Sequence, residues 1–537
     1  MVMKVSLVLV FLSIFSVTFK AYTEVNLQND HNHHNDPTLI IKEFHKKATS
    51  SESIKLKEEN EGGVVSAKPQ KRLHLKHRPI NHGNEPKTHA LDSAIWDLVR
   101  IQTLHRKVIE GKDIKSMSRK KEVKGGIIIQ EQNNQANAFV ASLESSKNEF
   151  SGNIMVTLKS GASLGTGEYF IDMFVGTPPK HVWLILDTGS DLSWIQCDPC
   201  YDCFEQNGPH YNPKESGSYR NVSCYDPRCQ LVSSPDPLQQ CEVENQTCPY
   251  FYDYADGSNT TGDFALDTFT VNLTLPIGKE KFKQVVDMMF GCGHWNKGFF
   301  HGAAGLLGLG RGPLSFFSQL QHIYGHSFSY CLTDLFSNTS VSSKLIFGED
   351  EELLNNHSLN FTSLLAGEES PDDTFYYVQI KSIMVDGEVL DIPEQTWYWS
   401  SEGAGGGGTI IDSGSTLTFF PEPAYGVIKE AFEKKIKLHP VAADDFIMSP
   451  CYNVSGALQM ELPDFGIYFA DGAVWNFPAE NYFYQYEPDE VICLAILKTP
   501  NHSHLTIIGN LLQQNFHILY DLKRSRLGYY PRRCAEV

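Results

Sequence analysis

Ile185-Leu186-Asp187-Thr188-Gly189-Ser190-Asp191-Leu192-Ser193-Trp194 and Ile410-Ile411-Asp412-Ser413-Gly414-Ser415-Thr416-Leu417-Thr418-Phe419 are one pattern written twice. In each, two apolar residues lead into an aspartate, followed by a hydroxyl residue, Gly, Ser, a variable position, Leu, a second hydroxyl residue and an aromatic one. The aliphatic lead predicts a buried strand that delivers the aspartate. Glycine lets the backbone turn tightly with nothing crowding the carboxylate, and the hydroxyls offer hydrogen bonds that orient it. A single copy would read as an ordinary strand-end turn. Two copies in two similar halves predict pseudo-symmetry, which would set Asp187 and Asp412 face to face. Adjacent carboxylates cannot both ionise cheaply, so such a pair shares a proton and titrates as a unit. The ionised member can take a proton from a water while the protonated one polarises a carbonyl, a hydrolysis that needs no metal and no other cofactor.

The rest of the chain fits a large exported body behind a leader. Its 537 residues exceed one compact domain, and 12% aromatic content with 41 Gly and 26 Pro suits many short strands and turns, so the expected class is all-β. Lys4 followed by the apolar run Val5 to Phe15 reads as a signal peptide over residues 1–21, ending near Ala21. That run is shorter than the ~20 residues needed to span a bilayer, and no membrane anchor is expected. All twelve cysteines lie at or beyond Cys197, an even number that in an exported chain points to disulfides. Nine glycosylation sequons, at Asn221, Asn245, Asn259, Asn272, Asn338, Asn356, Asn360, Asn453 and Asn501, occupy the same region. The expected location is extracellular, with the vacuole as the alternative.

Charge divides the chain. Residues 1–150 carry 23 Lys and Arg against 17 Asp and Glu, a net +6, and the remainder carries 22 against 47, a net −25. The positive charges are spread out behind an export signal, which argues against nucleic acid. Self-docking explains them better: a basic propeptide over 22–150 would be held on the acidic body near neutral pH and loosen as carboxylates protonate. Within it, Leu91, Ile95, Leu98, Val99, Ile101, Leu104 and Val108 recur at helical spacing, predicting an amphipathic helix near 91–110. His31, His33 and His34 sit in a polar His/Asn run and are assigned no metal.

Further motifs follow in a fixed order. Gly167-Glu168-Tyr169-Phe170 runs to Val175-Gly176-Thr177-Pro178-Pro179 before the first aspartate, and Tyr377-Val378-Gln379-Ile380 runs to Asp386-Gly387 before the second. Leu306-Leu307-Gly308 and Ile507-Ile508-Gly509 come after. Together these motifs resemble the pepsin-like aspartic peptidases, over roughly Gly167 to Cys534, and the cysteine-rich detail resembles their plant nepenthesin-like branch. The resemblance implies a bilobal β fold with an active cleft between the lobes. It implies catalysis by Asp187 and Asp412, supported by Thr188, Gly189, Ser190, Ser413, Gly414 and Ser415. Tyr254-Ala255-Asp256-Gly257-Ser258 resembles the flap that closes over bound peptide, which makes Tyr254, Gly257 and Ser258 substrate-binding, although Ala255 stands where the family usually has Gly.

The resemblance also implies lobes over 151–350 and 351–537, with a cysteine-rich insertion over 197–248. It implies the bridges Cys197–Cys200, Cys203–Cys292, Cys224–Cys248, Cys229–Cys241, Cys331–Cys534 and Cys451–Cys493. A zinc-knuckle reading of Cys197-x-x-Cys200-x-x-Cys203 yields to disulfides in an oxidising compartment. The expected partners are polypeptide substrates, the chain's own propeptide and pepstatin-type inhibitors, acting on a monomer. A catalytically silent binding protein or inhibitor of another secreted enzyme is the rival reading. Such proteins usually lack part of the dyad motif, and both motifs are intact here.

Overall fold

In the computed structural model, residues 73–74 and, with short interruptions, 154–536 are described. The segments 234–240, 255–256, 366–373, 399–406 and 443–446 are among the interruptions. The expected signal peptide and the helix near 91–110 lie outside the described residues.

The described body is built mainly from β-strands, as the alternation of Val, Ile, Tyr and Phe with polar residues dictates. The 7-residue strand Ile154–Ser160 alternates strictly at first, with Ile154, Val156 and Leu158 buried and their neighbours half-exposed. Strands buried on both faces read as unbroken apolar runs instead, such as Leu184 to Leu186 ahead of Asp187. A 14-stranded sheet forms the backbone of the molecule. In it, the first lobe's Ser327–Cys331 strand pairs antiparallel with the second lobe's Phe516–Asp521 strand, joining the lobes through one continuous ladder. The second lobe adds a five-stranded sheet containing Tyr376–Val378, Thr409–Ile411 and Thr506–Ile508, and two four-stranded sheets.

Helices are few and buttress these sheets. Phe316–Tyr324 starts at Ser315, whose hydroxyl accepts the Ser318 N–H at 3.1 Å, and stops at Gly325 with φ of 88°. It buries Phe316, Phe317, Leu320 and Tyr324 on one face. Ala424–Lys435 buries Ala424, Ile428 and Phe432, a spacing of four, and places Lys434 and Lys435 at its negative end.

Four expected bridges are corrected by the strand register. The structure joins Cys197 to Cys292 and Cys200 to Cys203, in place of Cys197–Cys200 and Cys203–Cys292. Ile195 and Cys292 are register partners and the Cys197 N–H donates to Gly293 O, so Cys197 and Cys292 stand on neighbouring strands with Cα atoms 5.4 Å apart. Likewise Cys229 pairs with Cys248 and Cys224 with Cys241, in place of Cys224–Cys248 and Cys229–Cys241. Cys248 is buried in the cluster of Leu192, Val222 and Phe264, and Cys229 packs against that same cluster. Cys451 and Cys493 are directly opposite on paired strands and are bonded.

Cys331 is bonded to Cys534, 203 positions away, across the inter-lobe ladder. Replacing both with Ser should cost about 2–4 kcal/mol, because a long loop in the unfolded chain is no longer closed. A lower urea midpoint is the expected readout, with a steeper slope because the unfolded chain without the bridge exposes more surface.

Candidate active site

Both aspartates stand where strand becomes loop. Lys180–Asp187 runs parallel to Gly305–Gly308, with Asp187 opposite Gly308. Thr409–Ile411 runs parallel to Thr506–Ile508, and Asp412 follows directly. Each partner strand also pairs antiparallel with the strand on the far side of its own aspartate loop, Trp194–Gln196 in the first lobe and Thr418–Phe420 in the second. The apolar-apolar-Gly segments therefore brace both loops from behind.

The two carboxyl groups have matching cradles. Asp187 Oδ1 accepts the Gly189 N–H at 2.9 Å and Oδ2 the Ser190 hydroxyl at 2.5 Å. Asp412 Oδ1 accepts the Gly414 N–H at 2.9 Å and Oδ2 the Ser415 hydroxyl at 2.6 Å. Both aspartates are 0% exposed. Gly189 adjoins both: its N–H donates to Asp187, and a Cβ on it would sit 2.7 Å from Asp412 Oδ1 and 2.9 Å from its Cγ. Only hydrogen fits there, and this lets the second carboxyl group approach the first loop.

Thr188 and Ser413 tie the loops together. The Thr188 N–H donates to Ser413 Oγ at 3.1 Å, and the Ser413 N–H donates to Thr188 Oγ1 at 2.9 Å. Each hydroxyl also reaches a carbonyl of the opposite lobe, Ser413 Oγ to Leu186 O at 3.1 Å and Thr188 Oγ1 to Ile411 O at 3.5 Å. The six supporting residues thus divide by role: Gly and Ser hold each carboxylate, and Thr188 and Ser413 hold the lobes in register.

Two side chains behind the second loop carried no motif signal. Asn510 Nδ2 donates to Ser413 O at 3.0 Å, and Gln513 Nε2 donates to Asp412 O at 3.3 Å. Polar and fully buried, both residues serve the backbone of the Asp412 loop.

Pro249–Asp253 and the start of Asn259–Thr274 form an antiparallel hairpin, in which Asp253 faces Asn259. At its turn Tyr254 N–H donates to Ser258 O at 2.7 Å and Gly257 takes φ of 79°. Tyr254 lies inward, its hydroxyl accepting Trp194 Nε1–H at 2.6 Å within a cluster that includes Phe300. Burial, the neighbouring Tyr252 and the charge of Asp187 push its phenol well above the usual range, against the pull of Trp194, so it keeps its proton. Gly257 is exposed, whereas Ser258, expected to meet substrate, is 2% exposed and packs beneath the turn. Ala255 and Asp256 lie outside the described residues.

Cys200, Cys203 and His210 bring metal-ligand atoms within 4.8 Å of one another. The two sulfurs are bonded to each other, which removes both as thiolate donors. Of the sequon asparagines, Asn221, Asn245, Asn360 and Asn453 are exposed and Asn259 and Asn356 half-buried. The side chains of Asn272, Asn338 and Asn501 are outside the described set.

Comparisons with known proteins agree with this geometry. The family models described as "Xylanase inhibitor N-terminal" and "Xylanase inhibitor C-terminal" match residues 169–349 and 375–531. "Aspartyl protease family protein 2" of Arabidopsis thaliana is 38% identical over 385 residues, covering 72% of this chain and 74% of that protein. "Aspartic proteinase nepenthesin-2" of Nepenthes gracilis is 36% identical over 373 residues, covering 69% of this chain and 79% of that protein. Among solved structures, edgp aligns with a TM-score of 0.59 at 23% identity, over 72% of this chain and 97% of its own. Conglutin gamma, the basic 7S globulin from lupine seeds, aligns at 0.56 and 20% identity, over 71% of this chain and 95% of its own, a likeness of fold. The chain belongs to the pepsin-like aspartic peptidase family, in its plant nepenthesin-like branch.

Proposed function

We propose that Asp187 and Asp412 are the catalytic dyad of this aspartic endopeptidase, and that it is secreted as an inactive precursor and works in acid. One observation carries the reading: two buried aspartates from opposite lobes are each held by a Gly N–H and a Ser hydroxyl, and Gly189, which donates to Asp187, has no room for a Cβ beside Asp412. Two carboxyl groups so placed share one proton. The ionised member accepts a proton from a water between them as that water attacks the scissile carbonyl carbon. The protonated member donates to the carbonyl oxygen, and the resulting tetrahedral diol collapses as a proton passes to the leaving nitrogen. The Gly and Ser donors hold both groups in place through the cycle, so little reorganisation accompanies the transfer.

Tyr254, at the base of the hairpin turn, is the flap tyrosine in this reading, with Gly257 exposed on the same turn. Residues 22–150 act as an intramolecular inhibitor docked by charge on a body divided into lobes at 151–350 and 351–537. The exposed sequons carry sugar, and the substrates are polypeptides with apolar side chains around the cut bond. The family models' inhibitor descriptions motivate the rival reading of a silent binding protein, which would leave the complete double cradle without a use.

The test is acid treatment of the purified full-length precursor, with mass spectrometry of its own fragments and of a denatured test protein, with and without pepstatin. Expected are loss of the leader, a bell-shaped pH profile peaking in acid and full block by pepstatin. Activity should fall as rising pH removes the shared proton and as falling pH adds a second one. A rate climbing steadily from about pH 4 to 8 would contradict shared-proton catalysis, and full activity of the unprocessed chain in acid would contradict autoinhibition.

A further inference from the structure

The variable position of the duplicated motif, Asp191 in one copy and Thr416 in the other, sits at equivalent places in the two lobes. The registers establish the equivalence: Phe170 faces Ile185 in the first lobe, and Tyr377 faces Ile410 in the second. Three residues before those partners stand Gly167 and Thr374. Each is met by the variable residue of the opposite lobe. Thr416 fills the space against Gly167, where a Cβ would lie 2.1 Å from the threonine methyl. Asp191 instead accepts the Thr374 hydroxyl on Oδ2 at 2.7 Å.

The Asp191 contact is part of a larger polar seam. Its Oδ1 accepts the Gly312 N–H at 2.8 Å, and Cβ atoms on Gly310 or Gly312 would come within 2.3 and 2.1 Å of the carboxylate. Arg311, between those glycines, donates its N–H to Thr374 O at 2.9 Å and its guanidinium to Leu365 O at 2.8 Å. The same segment shadows the first catalytic loop, since the Leu309 N–H donates to Asp187 O and the Gly310 N–H to Ser190 O, both at 2.8 Å. At the other end, Thr374 leads two residues later into Tyr376, the register partner of Ile411 beside Asp412.

We propose that Asp191 is a positioning residue, clasping the first catalytic loop to the strand beside the second so that the two carboxyl groups keep their separation. The inference rests on the reading of Asp187 and Asp412 as the dyad. The pseudo-symmetric contact sets the methyl and the hydroxyl of Thr416 against Gly167 and involves no charged group. The carboxylate clasp is directional and sits on the Asp187 side, so it sets the registration of the pair.

The test uses acid-matured enzyme and a quenched fluorescent peptide with apolar residues around the cut bond, read as kcat and KM separately, alongside pepstatin affinity and melting temperature. Asp191→Ala should lower kcat by about ten- to thirtyfold with KM changed less than about twofold, because misplacement of the reacting groups costs the transition state rather than ground-state binding. Pepstatin affinity should weaken by a comparable factor of about ten. Asp191→Asn should stay within about threefold of the parent kcat, since its carbonyl can accept from Gly312 and its amide can donate to Thr374 Oγ1. Thr374→Val, which removes one tie, should fall between the two. A melting temperature lowered in Asp191→Ala with kcat and pepstatin affinity unchanged would overturn the proposal. If Asp191→Ala does not fold, an unchanged kcat in Thr374→Val overturns it. Asp187→Asn assayed in parallel separates the two claims: turnover in that variant sinks the dyad reading, whatever Asp191 does.

Discussion

Asp187→Asn, and separately Asp412→Asn, should lower kcat by about 10⁴-fold or more, since each deletes one partner of a proton transfer that neither cradle can replace. The change is close to isosteric. Asn keeps one oxygen to accept from the Gly N–H, and its amide can face the Ser hydroxyl, whose oxygen also accepts. It also removes the repulsion between two buried acids, so thermal stability should hold or rise. The expected pattern is therefore an inactive protein with an undiminished melting temperature, measured by calorimetry beside the peptide assay. Turnover near the parent level in either variant would remove the dyad from the mechanism.

Gly189→Ala should be the next most damaging change, lowering kcat by about 10²-fold, the scale at which an ångström of misplacement is felt. The added methyl would press on Asp412 at 2.7 Å from Oδ1, 2.9 Å from Cγ and 3.1 Å from Oδ2, a carboxyl group already held by the Gly414 N–H and the Ser415 hydroxyl. The carboxyl group must turn away or the lobes must part. Parting them would stretch the reciprocal Thr188–Ser413 bonds at 3.1 and 2.9 Å. KM should change little by comparison, because the clash lies beneath the substrate rather than in its path. Retained kcat with only a raised KM would mean that the carboxyl groups do not approach each other across this glycine.

The double motif made two matching aspartate loops legible, and composition the all-β class, because these depend on short-range chemistry. An aliphatic run, an aspartate, a tight glycine and a hydroxyl define a strand end wherever they occur, and repetition supplies the symmetry. The inter-lobe bridge Cys331–Cys534 and the bridge Cys451–Cys493 are likewise as the family resemblance implied.

Partnerships settled by register were beyond the sequence. Cys197 bonds Cys292 because two strands 95 positions apart align there, and nothing in the Cys-x-x-Cys-x-x-Cys spacing encodes that alignment. Ser258 is 2% exposed at a turn closed by the Tyr254 N–H to Ser258 O bond, although its motif resembles a substrate-binding flap. The Trp194–Tyr254 bond and the Asp191–Thr374 clasp join residues 60 and 183 positions apart. Local residue types thus determined which side chains could do chemistry. Only the packing of two lobes on a shared sheet decided which of them touch, because contact between distant residues depends on strand register and lobe placement, which no short window of sequence contains.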